Sequence, residues 1–446
     1  MKLLFVSLGC DKNRVDSERM LSLLAKDGFT LVDDEAEAEV IVVNTCCFIQ
    51  DALEESIQTL IDLGRYKTEG SCKALLAAGC LAQRYADEIR RELPEVDGIV
   101  GTNGYDTIAD AVRTALAGNH PQMLPELSGL PRTDGGRILT TGGHYAYLKI
   151  AEGCDKHCTY CVIPSIRGGY RSVPMEELVA EAQRLADMGV RELILVAQET
   201  TLYGTDLYGT KSLPQLLARL NAIDGIKWIR LLYCYPEEID DALIDAIIEN
   251  EKVCHYIDLP IQHCNDGILR RMGRLTDRRQ IEHVIEKLRA RIPDITLRTT
   301  LICGFPGENE DSHHELVEFV REQQFDRLGA FPYSQEEGTP AAEMSMQVDE
   351  ALKQRWYEEI MQAQQAVSEA KNRKQIGNTM EVFIEGRVAD EDGVYVGRTG
   401  RDAPDVDGYL FLESPYELMS GRFVQARVTD AREYDLIGEL IDESTK

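Results

Sequence analysis

Cys154, Cys158 and Cys161 stand in a CxxxCxxC spacing that brings three thiolates into one short loop. Thiolates are soft ligands suited to zinc and to iron–sulfur clusters. Three is the informative number. A closed structural zinc site or an electron-transfer cluster takes four protein ligands, whereas a cubane held by three leaves one iron open. The nearest imidazole, His157, lies between two of the cysteines and reads as a surface loop residue. A second trio is scattered: Cys10 in SLGC, Cys46 in VNTC and Cys80 in AAGC. Each follows a short apolar run. If those runs are parallel strands of one sheet, the three thiols leave the same edge and converge, however irregular their spacing looks. Cys47, Cys72, Cys234, Cys254, Cys264 and Cys303 lack that placement and read as core or incidental thiols.

Such sites need sheets to position them. Apolar runs at Leu3–Leu8, Val40–Val43 and Ala74–Ala78 alternate with amphipathic stretches at Arg14–Lys26, Ala52–Leu63 and Gln83–Leu93, the pattern of a doubly wound parallel sheet. Gly118–Gly143, with three prolines and no period of either kind, reads as a linker. Strands are then expected near Tyr145–Ile150, Glu192–Ala197, Trp228–Tyr233, His255–Leu259, Thr296–Ile302 and Arg327–Tyr333, with helices between them. Six βα units in about 200 residues fit a partial barrel better than a closed one of eight strands and about 250 residues. A long helix over Asp349–Lys374 leads to short alternating runs from Met380 to Ile441, a small antiparallel barrel or sandwich. The expected domains are residues 1–135, 140–375 and 376–446, an α/β multidomain chain ending in a β-domain.

An aromatic residue before the third cysteine of CxxxCxxC, here Tyr160, makes the loop resemble the signature of radical S-adenosylmethionine enzymes. The resemblance covers the whole middle domain. It implies a [4Fe-4S] cluster on Cys154, Cys158 and Cys161 whose open iron is chelated by S-adenosylmethionine, with Tyr160 near the adenine. It further implies reductive cleavage to methionine and a 5′-deoxyadenosyl radical. Gln198, Thr299, Thr300 and Gly304–Glu308 (GFPGE) are similar to the cofactor shell of that family, with Arg271 and Arg274 as candidates to meet a carboxylate or ribose. A three-cysteine N-terminal domain, a radical core and a β-domain in this order resemble a methylthiotransferase over essentially the entire chain. By that likeness Cys10, Cys46 and Cys80 hold a second [4Fe-4S] cluster. The β-domain is similar to the TRAM domain, an OB-like barrel that binds RNA in many relatives.

Tyr147–Ser172 and Gly397–Gly408 resemble the branch of this family that modifies an aspartate of ribosomal protein S-twelve. The implied reaction uses two S-adenosylmethionine per turnover: one methylates a sulfur on the N-terminal cluster, and the other generates the radical that opens the β-carbon. The two clusters must then lie close together, so the linker is expected to fold the N-terminal domain over the barrel mouth. Charge agrees with that branch. The 446 residues contain 48 Lys plus Arg and 77 Asp plus Glu, a formal charge of −29. Residues 376–446 hold 7 basic and 16 acidic side chains, a net of −9. This opposes gripping phosphates and favours a basic protein such as S-twelve, free or within the small ribosomal subunit. An electron donor is the other implied partner, and direct nucleic-acid binding is not expected. The alternatives are a tRNA adenosine methylthiotransferase, a non-catalytic iron–sulfur carrier or scaffold, and a zinc-stabilised interaction protein. No apolar run approaches the roughly 18 residues of a membrane span. The first ten residues make a poor signal, and twelve cysteines in this length are too sparse for a disulfide scaffold, so the expected compartment is the reducing cytoplasm.

Overall fold

The computed structural model describes residues 1–131 and 136–441. The N-terminal sheet has strands β1 (Lys2–Ser7), β2 (Thr30–Leu31), β3 (Val40–Thr45), β4 (Ala74–Gly79), β5 (Gly98–Val100) and β6 (Gln122–Met123), all parallel in the order β2-β1-β3-β4-β5-β6. VIVVNT and ALLAAG are buried at every position because helices cover both faces of the sheet. The stretch read as a linker is partly built into the fold. Gln122–Met123 pairs with β5, and Arg137 reaches back to Glu18 (3.0 Å) and the Tyr147 carbonyl (2.7 Å). The boundary expected after residue 135 lies outside the described residues.

The middle sheet begins with β7 (Tyr145–Lys149). The hairpin strands β8 (Ala151–Glu152) and β9 (Arg171–Ser172) frame the CxxxCxxC loop. The sheet continues with β10 (Glu192–Val196), β11 (Trp228–Leu231), β12 (Val253–Gln262), β13 (Thr296–Cys303) and β14 (Arg327–Pro332), six parallel strands in the order β14-β13-β12-β11-β10-β7. β7 and β14 do not pair, so the barrel is half open. Leu148, Leu195, Ile229, Ile257 and Leu297 pack outward against helices in one large core. The alternate residues Tyr147, Ile194, Trp228 and Tyr256 point inward. The helix Glu350–Arg373 packs along β14.

The C-terminal barrel is closed by β15 (Thr379–Arg387), β16 (Val394–Thr399), β17 (Leu410–Glu413), β18 (Phe423–Ala431) and β19 (Leu436–Leu440). Four pairings are antiparallel, as expected. The closing pair β17/β19 is parallel, since β18 crosses over before β19 returns. The barrel is not a tethered appendage. Its 399–407 loop enters the half-barrel, where Arg230 donates to the Gly400 carbonyl (2.9 Å), Tyr256 to Asp407 (2.7 Å), and Arg327 pairs with Asp402. Glu192 at the start of β10 bridges Arg230 (2.8 Å) and Arg398 (2.6 Å), and all three are fully buried. Removing one member of such a triad strands a charge and costs about 3–5 kcal/mol.

The first helix, Asp11–Lys26, packs against β7 at one edge of the half-barrel. Its Val15 joins the inward-facing cluster with Tyr145, Tyr147 and Phe383. Among the described residues no helix is long and apolar enough to cross a membrane.

Candidate functional site

Each N-terminal cysteine sits where a strand hands over to a helix. Cys10 is the N-cap of Asp11–Lys26, Cys46 follows β3, and Cys80 opens the helix Cys80–Arg84 directly after β4. Helix N-termini favour a thiolate. The turns are tight. Gly79, at φ +88°, has no room for a Cβ because Asn44 Oδ1 and the Thr45 carbonyl occupy it, and a Cβ on Gly9 would lie 2.9 Å from Cys46 Sγ. Asn13 ties the group together: its Nδ2 donates to the carbonyls of Leu8 (3.1 Å) and Thr45 (2.9 Å), and its Oδ1 lies 3.7 Å from Cys80 Sγ. Cys46 and Cys80 are buried and Cys10 is exposed, so the trio opens on one side. Burial pushes the Cys46 thiol up to about 12 and raises that of Cys80, which the Arg167 guanidinium partly offsets.

The second trio lies in the loop between β8 and β9. Gly153, at φ +77°, lies against Gly168 and Gly169, whose carbonyl oxygens fill the space of a Cβ. Cys154 N–H donates to the Gly168 carbonyl (3.1 Å), and Lys156 N–H donates to Cys154 Sγ (3.4 Å). Cys154 and Cys158 are buried, Cys161 is half-buried, and His157 is exposed as expected. Burial lifts Cys154 to about 11 and Cys161 to about 12. A coordinating metal deprotonates such thiols outright. Among the described residues no three His, Cys, Asp or Glu side chains are gathered tightly enough to hold a single ion. A cubane places each thiolate on a different iron and so needs wider spacing.

Around this loop stand the other residues singled out in the sequence. The Tyr160 ring meets Phe305 of GFPGE edge-on at 6.4 Å. Gly304 and Gly307 both have positive φ, but side chains of this chain fill the space beside them: Lys353 against Gly304 and the Arg271 guanidinium against Gly307. Glu308 shapes that turn by accepting from the Gly304 (2.6 Å) and Phe305 (3.0 Å) amides. Thr299 faces away from the mouth. It is fully buried on the helix-facing side of β13, and its hydroxyl donates to the Leu259 carbonyl (2.7 Å). Thr300, the next residue, is on the inner face beside Arg298. Arg271 is exposed, whereas Arg274 is buried with its guanidinium 4.3 Å above the Tyr235 ring. Gln198 Nε2 donates to Glu152 (3.1 Å).

Several buried atoms here have no partner: Gln198 Oε1, Glu199 Oε2, and Nε and Nη1 of Arg274. Orphaned acceptors and orphaned guanidinium donors around three cysteines fit a bound group with both an ammonium and a carboxylate. S-adenosylmethionine on a cluster is such a group.

Sequence reasoning missed what lies between the trios. Arg167, in the helix Ile163–Arg167 that follows Cys161, donates from Nη2 to Asn13 Oδ1 (2.5 Å) and towards Cys80 Sγ (3.6 Å). Its Nη1 pairs with Glu152 (3.0 Å) and Asp16 (3.1 Å). Lys149 bridges the same two carboxylates, 2.7 Å from Glu152. The network runs from Cys80 to Glu152, two residues before Cys154, wholly out of solvent. Its signal in the sequence was two charged residues, Lys149 and Glu152, inside the otherwise apolar YLKIAEG.

Three family models match the chain: an uncharacterized protein family, UPF0004, over residues 2–101; the radical SAM superfamily over 148–320; and the TRAM domain over 376–441. Among similar curated proteins, the ribosomal protein uS12 methylthiotransferase RimO of Lachnoclostridium phytofermentans is 55% identical, covering 98% of this chain and 99% of its own. Those of Acetivibrio thermocellus (48%; 100% and 99%) and Trichlorobacter lovleyi (49%; 99% and 98%) carry the same name. Among solved structures, the radical S-adenosylmethionine methyltransferase TsrM of Kitasatospora setae, with cobalamin and a [4Fe-4S] cluster bound, aligns at TM-score 0.55 and 13% identity over 76% of this chain and 73% of that one. The cobalamin-dependent radical enzyme OxsB aligns at 0.52 and 14% identity over 81% and 56%. These two likenesses speak for the fold.

Proposed function

This chain belongs to the RimO family of ribosomal protein uS12 methylthiotransferases, and from that premise we propose that it places a methylthio group on the β-carbon of an aspartate of uS12, the S-twelve protein, with Cys154, Cys158 and Cys161 holding one [4Fe-4S] cluster and Cys10, Cys46 and Cys80 the other. The observation that carries this reading is the meeting of the two trios across Arg167, 3.6 Å from Cys80 Sγ and paired with Glu152 beside Cys154. When bound, the two clusters and two S-adenosylmethionine per turnover supply a radical able to take hydrogen from an unactivated carbon, and a sulfur with its methyl group to replace it.

The protein's own groups bind and position. The β-hydrogen of an aspartate is not acidic, so no side chain in its ordinary range could remove it as a proton. The chain instead holds the substrate carbon between the trios. Gln198, Glu199 and Arg274 offer unpartnered polar atoms to the cofactor's amino-acid end, and Tyr160 and Phe305 offer an aromatic wall. Thr300 replaces Thr299 as the hydroxyl on the inner face of β13. The helix Asp11–Lys26 against β7 and the 399–407 loop inside the barrel exclude water from the interior. Cytoplasmic residence, an external electron donor, substrate taken free or within the small subunit, and no direct contact with nucleic acid complete the proposal.

Anaerobic reconstitution followed by iron and sulfide analysis tests the ligand sets. About eight irons in the intact chain, falling to about four in a Cys154/Cys158/Cys161 triple-Ala variant, is expected. About four falling to none removes the N-terminal cluster and with it sulfur insertion. Mass spectrometry of uS12 and tRNA after turnover then shows which one carries the added methylthio group.

A further inference from the structure

The cations around the two cysteine trios and inside the half-barrel are mostly saturated. Lys149 and Arg167 each pair with Asp16 and Glu152, Lys156 with Glu237 and Glu238, and Arg298 with Asp258 and Asp407. Lys12 differs. Its side chain is 8% exposed, and among the described residues it has one carboxylate partner, Asp11 Oδ1 at 2.9 Å. The ammonium sits 3.2 Å above the centre of the Tyr233 ring. An ammonium carries three donors, and a carboxylate with one ring face leaves one of them free. Asp11 is equally buried, and its Oδ2 has no partner.

The position of this pair matters. Lys12 is two residues from Cys10, while Tyr233 lies just past β11 at the mouth of the half-barrel, its carbonyl accepting from Thr200 N–H (3.1 Å) beside Gln198 and Glu199. Tyr233 is held at φ +59°, a conformation unusual for a bulky residue, by its N–H bond to Asp258 (2.9 Å). Its hydroxyl lies 3.3 Å from Asp11 Oδ1. Lys12 therefore connects the turn that carries Cys10 to the loop after β11, beside the residues that follow β10.

We propose that Lys12 and Asp11 form the subsite that recognises the substrate aspartate, the Lys12 ammonium taking its carboxylate and the free Asp11 Oδ2 accepting an N–H of the same peptide. This rests on the reading of the chain as a uS12 aspartate methylthiotransferase and names the residues that choose the side chain. The carboxyl carbon is bonded to the β-carbon, so gripping it fixes the reacting C–H within one bond length. Both residues lie in the first turn of a 16-residue helix, whose positive end offsets the added negative charge. A site built around a buried charge rejects an uncharged isostere strongly, because the ammonium would be left underpaired.

The test measures the affinity of reconstituted holoenzyme for uS12 and for a uS12 variant with asparagine at the modified position. Wild-type enzyme is expected to bind the aspartate form about 10- to 100-fold more tightly. Lys12→Gln should lower that affinity to the asparagine level while leaving binding of the asparagine form and the iron content unchanged. Lys12→Arg should keep the preference. A Lys12→Gln enzyme that still prefers aspartate by the wild-type factor overturns the subsite, as does a wild-type enzyme with no preference. Should Lys12→Gln not load iron, Lys12→Met, which keeps the apolar stem, carries the same comparison. Wild-type enzyme that neither binds nor modifies uS12 overturns instead the functional reading on which the subsite rests.

Discussion

The guanidinium of Arg167 lies 3.6 Å from the sulfur of Cys80 through one nitrogen and is paired with Glu152 through the other, so one side chain touches both halves of the site. Arg167 comes from the helix after Cys161, and Cys80 from the strand edge of a different domain. Arg167 also bonds Asn13, which holds the chain at the C-terminal ends of β1 and β3. The planar fork of Arg167 thus joins the two cysteine trios directly, alongside the Lys149 bridge between Asp16 and Glu152.

Arg167→Met should therefore cost more than the loss of one contact. It leaves Glu152 and Asp16 sharing Lys149 alone in a buried space. A loss of about 3–5 kcal/mol in unfolding free energy is expected, read by denaturant titration of the reconstituted protein. In the Glu152→Gln background the same substitution should cost less, because one stranded charge is already gone. Additive losses would show that the pair is not coupled.

The strands were legible, and with them the placement of Cys10, Cys46 and Cys80, because each of these three follows an apolar run of strand length and a parallel sheet sends every such end to one edge. The bridging network was not. Lys149 and Asp16 are 133 residues apart and meet because two domains dock. The helix Asp11–Lys26 shows the physical reason. Its Lys12, Asn13, Asp16, Glu18 and Arg19 are polar, yet all five are buried, since each meets a residue beyond the N-terminal sheet rather than water. Periodicity reports which residues are polar and not what covers them. Thr299 and Thr300 make the same point on a smaller scale: adjacent residues of a strand face opposite ways, and the motif alone did not say which faced the mouth.

Acid should loosen the docked domains. Glu181, fully buried between Arg19 (3.0 Å) and Arg137 (2.8 Å), is lowered from 4.5 to about 2, its two guanidinium partners outweighing desolvation. The folded value lies below the unfolded one. The stability it contributes is therefore complete above about 4.5 and is lost as pH falls towards 2, roughly 3 kcal/mol in all. Thermal unfolding of wild type and Glu181→Gln between pH 6 and about 3 should show a difference that shrinks as the pH falls. A constant difference would assign the acid sensitivity to other carboxylates.

Two glycines should separate the two cysteine trios. Gly79 and Gly153 each have positive φ and no space for a Cβ, the first against Asn44 and Thr45 beside Cys80, the second against Gly168 and Gly169 beside Cys154. Alanine must displace backbone in both cases and costs well above ~1 kcal/mol locally. Gly79→Ala is expected to lose the iron bound by the N-terminal trio and keep the other, and Gly153→Ala the reverse. Iron analysis of each variant, paired with reductive cleavage of S-adenosylmethionine, distinguishes them: cleavage should survive Gly79→Ala and fail in Gly153→Ala. Loss of all iron from either would mean that the trios do not load independently.

The acidity of the C-terminal barrel divides into two parts with different consequences. Asp402 and Asp407 point into the half-barrel, where Arg327 holds Asp402 below its ordinary range and Asp407 accepts from Tyr256. These charges join domains and present no field to a partner. Asp390, Glu391 and Asp392 in the turn between β15 and β16, with Glu413 and Glu417, are exposed. A basic protein would be steered by this second group, and steering decays over a Debye length of about 10 Å at 0.1 M salt. Neutralising Asp390, Glu391 and Asp392 as Asn, Gln and Asn should therefore lower the association rate for uS12 about 2- to 10-fold at low salt, with the difference fading as salt rises. Asp402→Asn should leave that rate unchanged and lower the unfolding temperature instead. Stopped-flow association across a salt series separates the two groups, and a rate indifferent to salt in the wild type would show that the barrel's exposed charge does not steer the substrate.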